Sequence, residues 1–258
     1  QMLEKYRESD PVRARQIELA MERLRWLPDL AGRQLIVVNL PMFHLWGWDA
    51  DSADGVAAIE MAAIIGRASA GKTPVFASRV TDIVINPYWN VPDSIARNEI
   101  LPKLQRDPNY LARNHMEMTS DGNVQRIRQL PGPWNSLGRI KLDFSNVHSV
   151  YLHGTPANEL FSRARRDFSH GCVRVEDPVG LAEWVLSRQE GWSRPRILDA
   201  IAEGTTRTVR VAEPPHVVMF YVTAMVVAGE DDVTFAEDIY GHDARLDAWL
   251  KARTGEAR

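Results

Sequence analysis

At 258 residues with 45% hydrophobic content, the chain has room for one large or two small domains built around a substantial core. A net charge of -3, with acidic and basic residues intermixed, excludes nucleic acid and membrane surfaces as partners recruited by charge alone. No run approaches the roughly 18 apolar residues of a membrane span, so no membrane attachment is visible in this chain. Gln1 to Asp10 is too polar for a signal peptide, and a start on Gln rather than Met leads us to expect a processed or excised chain whose targeting segment lies elsewhere.

The first element is an amphipathic helix: Ile17, Ala20, Met21, Leu24 and Leu27 recur at helical spacing, Asp10-Pro11 supplies the cap and first-turn proline, and Pro28 stops it. From Arg33 the pattern turns to short β-rich runs, Gln34 to Leu40, Phe43 to Trp48 and Thr81 to Ile85, with Val56 to Ile65 fitting neither helix nor strand period cleanly. Asn86 to Pro92 carries two prolines and two aromatics and reads as an ordered loop. A short helix over Ser94 to Leu104 follows, then a polar stretch from Arg106 to Asn123 with a Thr119-Ser120-Asp121-Gly122-Asn123 turn cluster, expected to be a mobile lid.

Val124 to Leu130 and Ser149 to Leu152 read as strands that bracket a turn region, Pro131 to Gly138. Asp177-Pro178 caps a helix running to Arg188, and a second helix spans Arg194 to Ala202, ended by Gly204. Arg207 to Val211, His216 to Val227 and Val233 to Phe235 read as strands, and a helix over Asp243 to Lys251 closes the chain. Strands joined by short turns predict a mainly β fold, mostly antiparallel, with peripheral helices.

Ser169-His170-Gly171-Cys172-Val173-Arg174 contains the only cysteine, and a second histidine, His153, lies upstream in Tyr151-Leu152-His153-Gly154-Thr155. A lone thiol cannot form an internal disulfide, and away from such a context it is usually a small buried hydrophobe. Flanked by His and Gly it reads as a nucleophile, because a thiol attacks as thiolate and needs a nearby base, which His153 or His170 can supply. Gly171 leaves space for a substrate and frees the backbone to face a developing oxyanion. Arg174 can hold a carboxylate or brace the loop. His153, His170 and Cys172 could also form a three-ligand zinc site, but neither His-Glu-x-x-His nor a second Cys accompanies them, so no metal is assigned.

At these residues the chain resembles the L,D-transpeptidase (YkuD-type) catalytic domain, whose motif is an upstream His followed by Ser/Thr-His-Gly-Cys. His153, Ser169, His170, Gly171 and Cys172 occupy its fixed positions, and Arg174 stands where many members carry Asn, as in the large Gram-negative cross-linking subgroup. Asn86 to Pro92, Pro131 to Gly138 and Phe220 to Thr223 extend the likeness. The resemblance implies a β-sandwich catalytic domain over residues 31–258 with a lid insertion at about 88–130, and residues 1–30 as a helical segment left from an upstream peptidoglycan-binding module.

It further implies a periplasmic enzyme that links diaminopimelate residues of peptidoglycan. Cys172 would form a thioester with a tetrapeptide donor stem and release D-alanine, and His153, oriented by the main chain near Gly154, would be the base. His170, Gly171 and Cys172 would supply loop geometry and oxyanion donors. Tyr151, Trp89 and Asn90 would line the substrate cleft together with Ser169 and Arg174. No cofactor is implied, and carbapenems would acylate Cys172. Water or a protein amine as acceptor would instead give an L,D-carboxypeptidase or a lipoprotein-attaching enzyme. A non-catalytic peptidoglycan-binding scaffold is the reading from another class.

Overall fold

The computed structural model describes residues 2–30, 32–52, 55–121 and 124–255. In chain order the elements are α1 (Met2–Ser9), α2 (Pro11–Leu24), β1 (Leu35–Asn39), β2 (His44–Trp48), β3 (Ile59–Gly66), β4 (Phe76–Ile85), β5 (Trp89–Asn90) and α3 (Asp93–Ile95). A π-helical turn (Ala96–Ile100) leads into α4 (Leu101–Arg106), then α5 (Tyr110–Arg113), β6 (Met116–Asp121), β7 (Val124–Gln129), β8 (Ile140–Phe144) and β9 (Leu152–His153). After a 3-10 turn (Asn158–Ser162) come β10 (Asp167–Ser169), β11 (Val173–Val175), α6 (Pro178–Leu186), α7 (Arg194–Ala202), β12 (Arg207–Arg210), β13 (His216–Phe220), β14 (Ala224–Met225), β15 (Thr234–Phe235) and α8 (His242–Thr254). The core is mostly β sheet with several helices, as expected. Among the described residues no helix is long and apolar enough to cross a membrane.

The chain divides into two compact units, one of residues 1–79, 163–173 and 215–258, the other of 80–162 and 174–214. In the first, β2 lies antiparallel between β1 and β3, β13 runs parallel to β1 and antiparallel to Phe76–Arg79 of β4, and β10 runs parallel beside β3. Asp10 caps α2 by accepting the Arg13 N–H, with Pro11 in the first turn. The buried face of α2 is turned relative to the apolar stripe of the sequence. Ala14, Ile17 and Ala20 pack with Tyr6 of α1 against Val218, Phe220, Val222 and Ala224, whereas Met21 and Leu24 are 43% and 53% exposed. The small alanines let the helix backbone come close to the sheet residues.

The ambiguous run at 56–65 proves to be strand from Ile59 onward. Ala63, Ile64 and Ile65 are all fully buried, so past the exposed Glu60 β3 shows no polar alternation of the kind by which a half-exposed strand is recognised. The long run at 216–227 breaks after Phe220, where the Val222 N–H leaves the ladder for Asn39 Oδ1, and resumes as the hairpin β14–β15.

In the second unit, Asp82–Ile85 of β4 is flanked by β12 and β8, both antiparallel, and β9 pairs with β8. β8 was not anticipated, although Ile140, Leu142 and Phe144 are buried and alternate with Lys141 and Asp143. The strand expected from Ser149 is confined to Leu152–His153, because Ser149 has a left-handed backbone (φ +54°) and the Asn146 side chain gathers Phe144 O, Val150 O, His148 N and Val150 N into a turn. Asp177 caps α6 by accepting the Gly180 N–H, and α6 lies against β8.

The stretch 106–123, expected to be a mobile lid, contains α5 and β6, and residues 122–123 lie outside the described residues. β6 pairs with β7 from Met116↔Gln129 to Asp121↔Val124, and β5 adds to the other edge of β7. Val91, Ile100 and Ile127 form a small core there, joined by Trp89, Ile95, Tyr110, Leu111 and Met116. The apolar residues that fix this insertion are spread over its whole length, and a local window shows mainly its polar surface.

Candidate active site

In the first unit the Ser-His-Gly-Cys turn connects β10 to β11. Ser169 is 3% exposed, and its hydroxyl donates to Cys172 O (2.5 Å) while accepting the Gly171 N–H (3.1 Å). One side chain thus ties both ends of the turn. Gly171 has φ +130°, a backbone closed to residues with a Cβ, and its N–H is committed to Ser169. Cys172, the single cysteine of the sequence, is partly exposed, and His170 is exposed.

Beneath this turn lies the segment from Gly66 to Thr73, which the sequence reading passed over. Its letters, Gly-Arg-Ala-Ser-Ala-Gly-Lys-Thr, match the spacing of a phosphate-binding loop. Such a loop opens a helix, whereas here Pro74 follows and the chain runs into β4. The Lys72 amine donates to Tyr240 O and the Thr73 hydroxyl to Gly171 O, so both side chains serve the protein's own backbone. A Cβ on Gly71 would come within 2.8 Å of His170 O, which is how closely the two segments approach.

In the second unit, His153 pairs across strands with Lys141 and is 4% exposed. Its Nδ1 lies 2.6 Å from Gly154 O. A carbonyl only accepts, so Nδ1 carries the hydrogen and Nε2 of the neutral ring keeps the lone pair. Burial pushes the His153 pKa down to about 3, reinforced by the positive charges of Arg174 and, less strongly, Lys141, against an opposing pull from the Gly154 carbonyl. The Tyr151 ring lies 5.5 Å from that of His153, and the Lys141 amine sits 4.4 Å from the Tyr151 ring centre. Gly138 and Gly154 allow two backbone segments to touch, since a Cβ on Gly138 would lie 2.7 Å from Gly154 C.

Ser169, His170, Gly171 and Cys172 form one turn; Tyr151, His153, Gly154 and Arg174 form a cluster that also includes Lys141. Trp89 and Asn90 lie on β5, where Trp89 packs on the Val91, Ile100 and Ile127 core and Asn90 is exposed. The loops at 86–92 and 131–138 do meet, through Asn135 Nδ2 donating to Pro87 O. Lys141, Thr73 and Tyr240 went unnoticed, and only the alternation of β8 carried a signal for the first of them. Among the described residues no group of three or more His, Cys, Asp or Glu side chains is placed to hold a metal ion.

Comparison with known proteins adds the family. The family model of the L,D-transpeptidase catalytic domain (YkuD) matches residues 33–214. A protein of Haemophilus influenzae named "Putative L,D-transpeptidase" is 33% identical over 248 residues, covering 89% of this chain and 48% of that protein. The chain thus spans about half the length of this curated relative. Among solved structures, L,D-transpeptidase 3 from Mycobacterium tuberculosis in complex with a faropenem-derived adduct shares 13% identity at a TM-score of 0.35, over 72% of this chain and 60% of that one. An L,D-transpeptidase from Xylanimonas cellulosilytica shares 13% at 0.30, over 75% and 63%. By the family model and the Haemophilus relative, the chain belongs to the L,D-transpeptidase (YkuD) catalytic-domain family.

Proposed function

We propose that this protein cross-links peptidoglycan in the periplasm through an acyl-enzyme on Cys172. In this reading Cys172 Sγ attacks the carbonyl on the L-centre of a diaminopimelate in a tetrapeptide stem, and the thiol proton passes to His153 Nε2. The C–N bond to the terminal D-alanine breaks as His153 returns the proton to the departing amine, leaving the stem as a thioester. The side-chain amine of a second diaminopimelate then attacks the thioester carbonyl, forming the new amide and releasing the thiol.

The observation that carries the reading is the Ser-His-Gly-Cys turn itself, tied at both ends by Ser169 in a chain of this family. The hydrogen bond from His153 Nδ1 to Gly154 O supports its role as base, because it leaves Nε2 as the nitrogen that takes the proton. Arg174, expected to hold a substrate carboxylate, also lies near enough for its charge to lower the proton affinity of that ring. Because the Gly171 N–H is turned toward Ser169, the expected oxyanion donors narrow to other groups of the turn. Carbapenems are expected to acylate the same sulfur.

Purified tetrapeptide muropeptides incubated with the protein and followed by mass spectrometry test this. A dimer formed with loss of D-alanine supports cross-linking, whereas tripeptide alone points to an L,D-carboxypeptidase. The same products from a Cys172→Ala variant would remove the nucleophile from the scheme.

A further inference from the structure

We propose that Thr73 is a positioning residue for Cys172, a latch that holds the Gly171–Cys172 peptide in the orientation from which the thiol reacts. The inference rests on the reading of Cys172 as nucleophile.

The problem the latch solves is set by Gly171. With φ +130° and no side chain, Gly171 has a wide backbone range, so the direction of the peptide that follows it is left to hydrogen bonds. Because a trans peptide is planar, the direction of the Gly171 carbonyl also sets the direction of the Cys172 N–H and the position of the Cys172 Cα. Whatever fixes that carbonyl fixes the base of the thiol.

Thr73 fixes it. Its hydroxyl donates to Gly171 O at 2.7 Å and accepts the Gly66 N–H at 2.9 Å, so its single hydrogen has one destination. Thr73 is 1% exposed, which strengthens both bonds and leaves no water to replace them. The residue is itself held from behind. Its N–H donates to Tyr240 Oη (3.2 Å), and that hydroxyl donates to Gly66 O (2.5 Å). The Tyr240 N–H in turn donates to Tyr221 Oη, which donates to Asp238. A chain of hydrogen bonds, partly buried at Asp238 and fully buried beyond it, thus runs through both tyrosines to Thr73 and ends on the peptide bond of the nucleophile.

A hydroxyl that merely satisfied buried backbone groups would matter to stability and not to the reaction of the thiol. The test separates the two by following carbapenem acylation of the full chain by intact mass, resolving the affinity from the rate constant of the covalent step. Reactivity toward iodoacetamide, which needs no alignment, and the melting temperature are measured alongside. In Thr73→Val, of the same shape without the hydroxyl, the covalent step should slow by roughly 10- to 100-fold with affinity for the carbapenem unchanged. Iodoacetamide should still react at the wild-type rate, and Thr73→Ser should restore acylation. Should Thr73→Val fail to fold, Tyr240→Phe, which keeps the ring and removes the supporting hydroxyl, should show the same loss in smaller degree.

Equal acylation rates in wild type and folded variants overturn the latch and leave the nucleophile standing. So does a loss that Thr73→Ser does not recover. If the wild type takes up no carbapenem, or if Cys172→Ala takes it up equally, the nucleophile reading fails and the latch with it.

Discussion

Replacing His153 by Gln should flatten the acid sensitivity of the fold by an amount that follows from the burial of the ring. The native pKa of about 3 lies below the 6.5 of an ordinary histidine, so between these values the unfolded chain binds a proton that the native protein refuses. Stability from this site is therefore complete above pH 6.5 and falls as the pH drops toward 3. With about 1.4 kcal/mol per pKa unit, the penalty grows to about 2 kcal/mol at pH 5 and about 4 kcal/mol at pH 3. Urea unfolding of wild type and His153→Gln at pH 7.5 and pH 5 gives the double difference, in which the remaining titrating groups cancel. The wild type should lose about 2 kcal/mol more than the variant over that interval. Arg174→Gln, which removes the largest nearby charge, should move the titration upward and shrink the difference. Parallel losses in wild type and His153→Gln, or a native His153 titrating by NMR near 6.5, would refute both the buried neutral ring and its cause.

Asn86 has φ +50° and is fully buried; its Nδ2 reaches Ala200 O, Ile201 O and Thr205 O, and its Oδ1 accepts from Arg139. Asn86→Ala should cost about 3–5 kcal/mol in urea unfolding, from two or three lost buried bonds and a left-handed backbone that alanine resists, and a loss below about 1 kcal/mol would contradict this account. Gly66→Ala would place a Cβ 2.0 Å from Gly71 O, a backbone atom that cannot step aside, so it should distort the loop and lower carbapenem acylation along with the melting temperature. Gly204→Ala is the contrasting case: φ +73° with no atom within 4 Å predicts about 1 kcal/mol and unchanged acylation, and equal effects from the two glycines would show that crowding is not what makes Gly66 necessary.

Features dictated by short-range chemistry are legible in the amino-acid order alone. Asp10-Pro11 and Asp177-Pro178 mark the starts of α2 and α6 because a cap needs only residues three apart. The Ser-His-Gly-Cys turn is likewise local, with Ser169 and Gly171 shaping it from within three residues of Cys172. The other features depend on contacts between distant parts of the chain. β3 lost its signature because both faces of its C-terminal half are covered, and the insertion at 88–130 folds on a core whose members are far apart in the chain. The neutral state of His153 depends on burial and on Arg174, 21 positions later in the sequence, and no local window contains both. Thr73 stands 98 residues from Gly171, and only the folded chain puts its hydroxyl on the peptide that carries the cysteine. A sequence names the reacting groups, since chemistry requires particular side chains. The fold decides how they are held, because a hydrogen bond is made by position in space, whatever the separation along the chain.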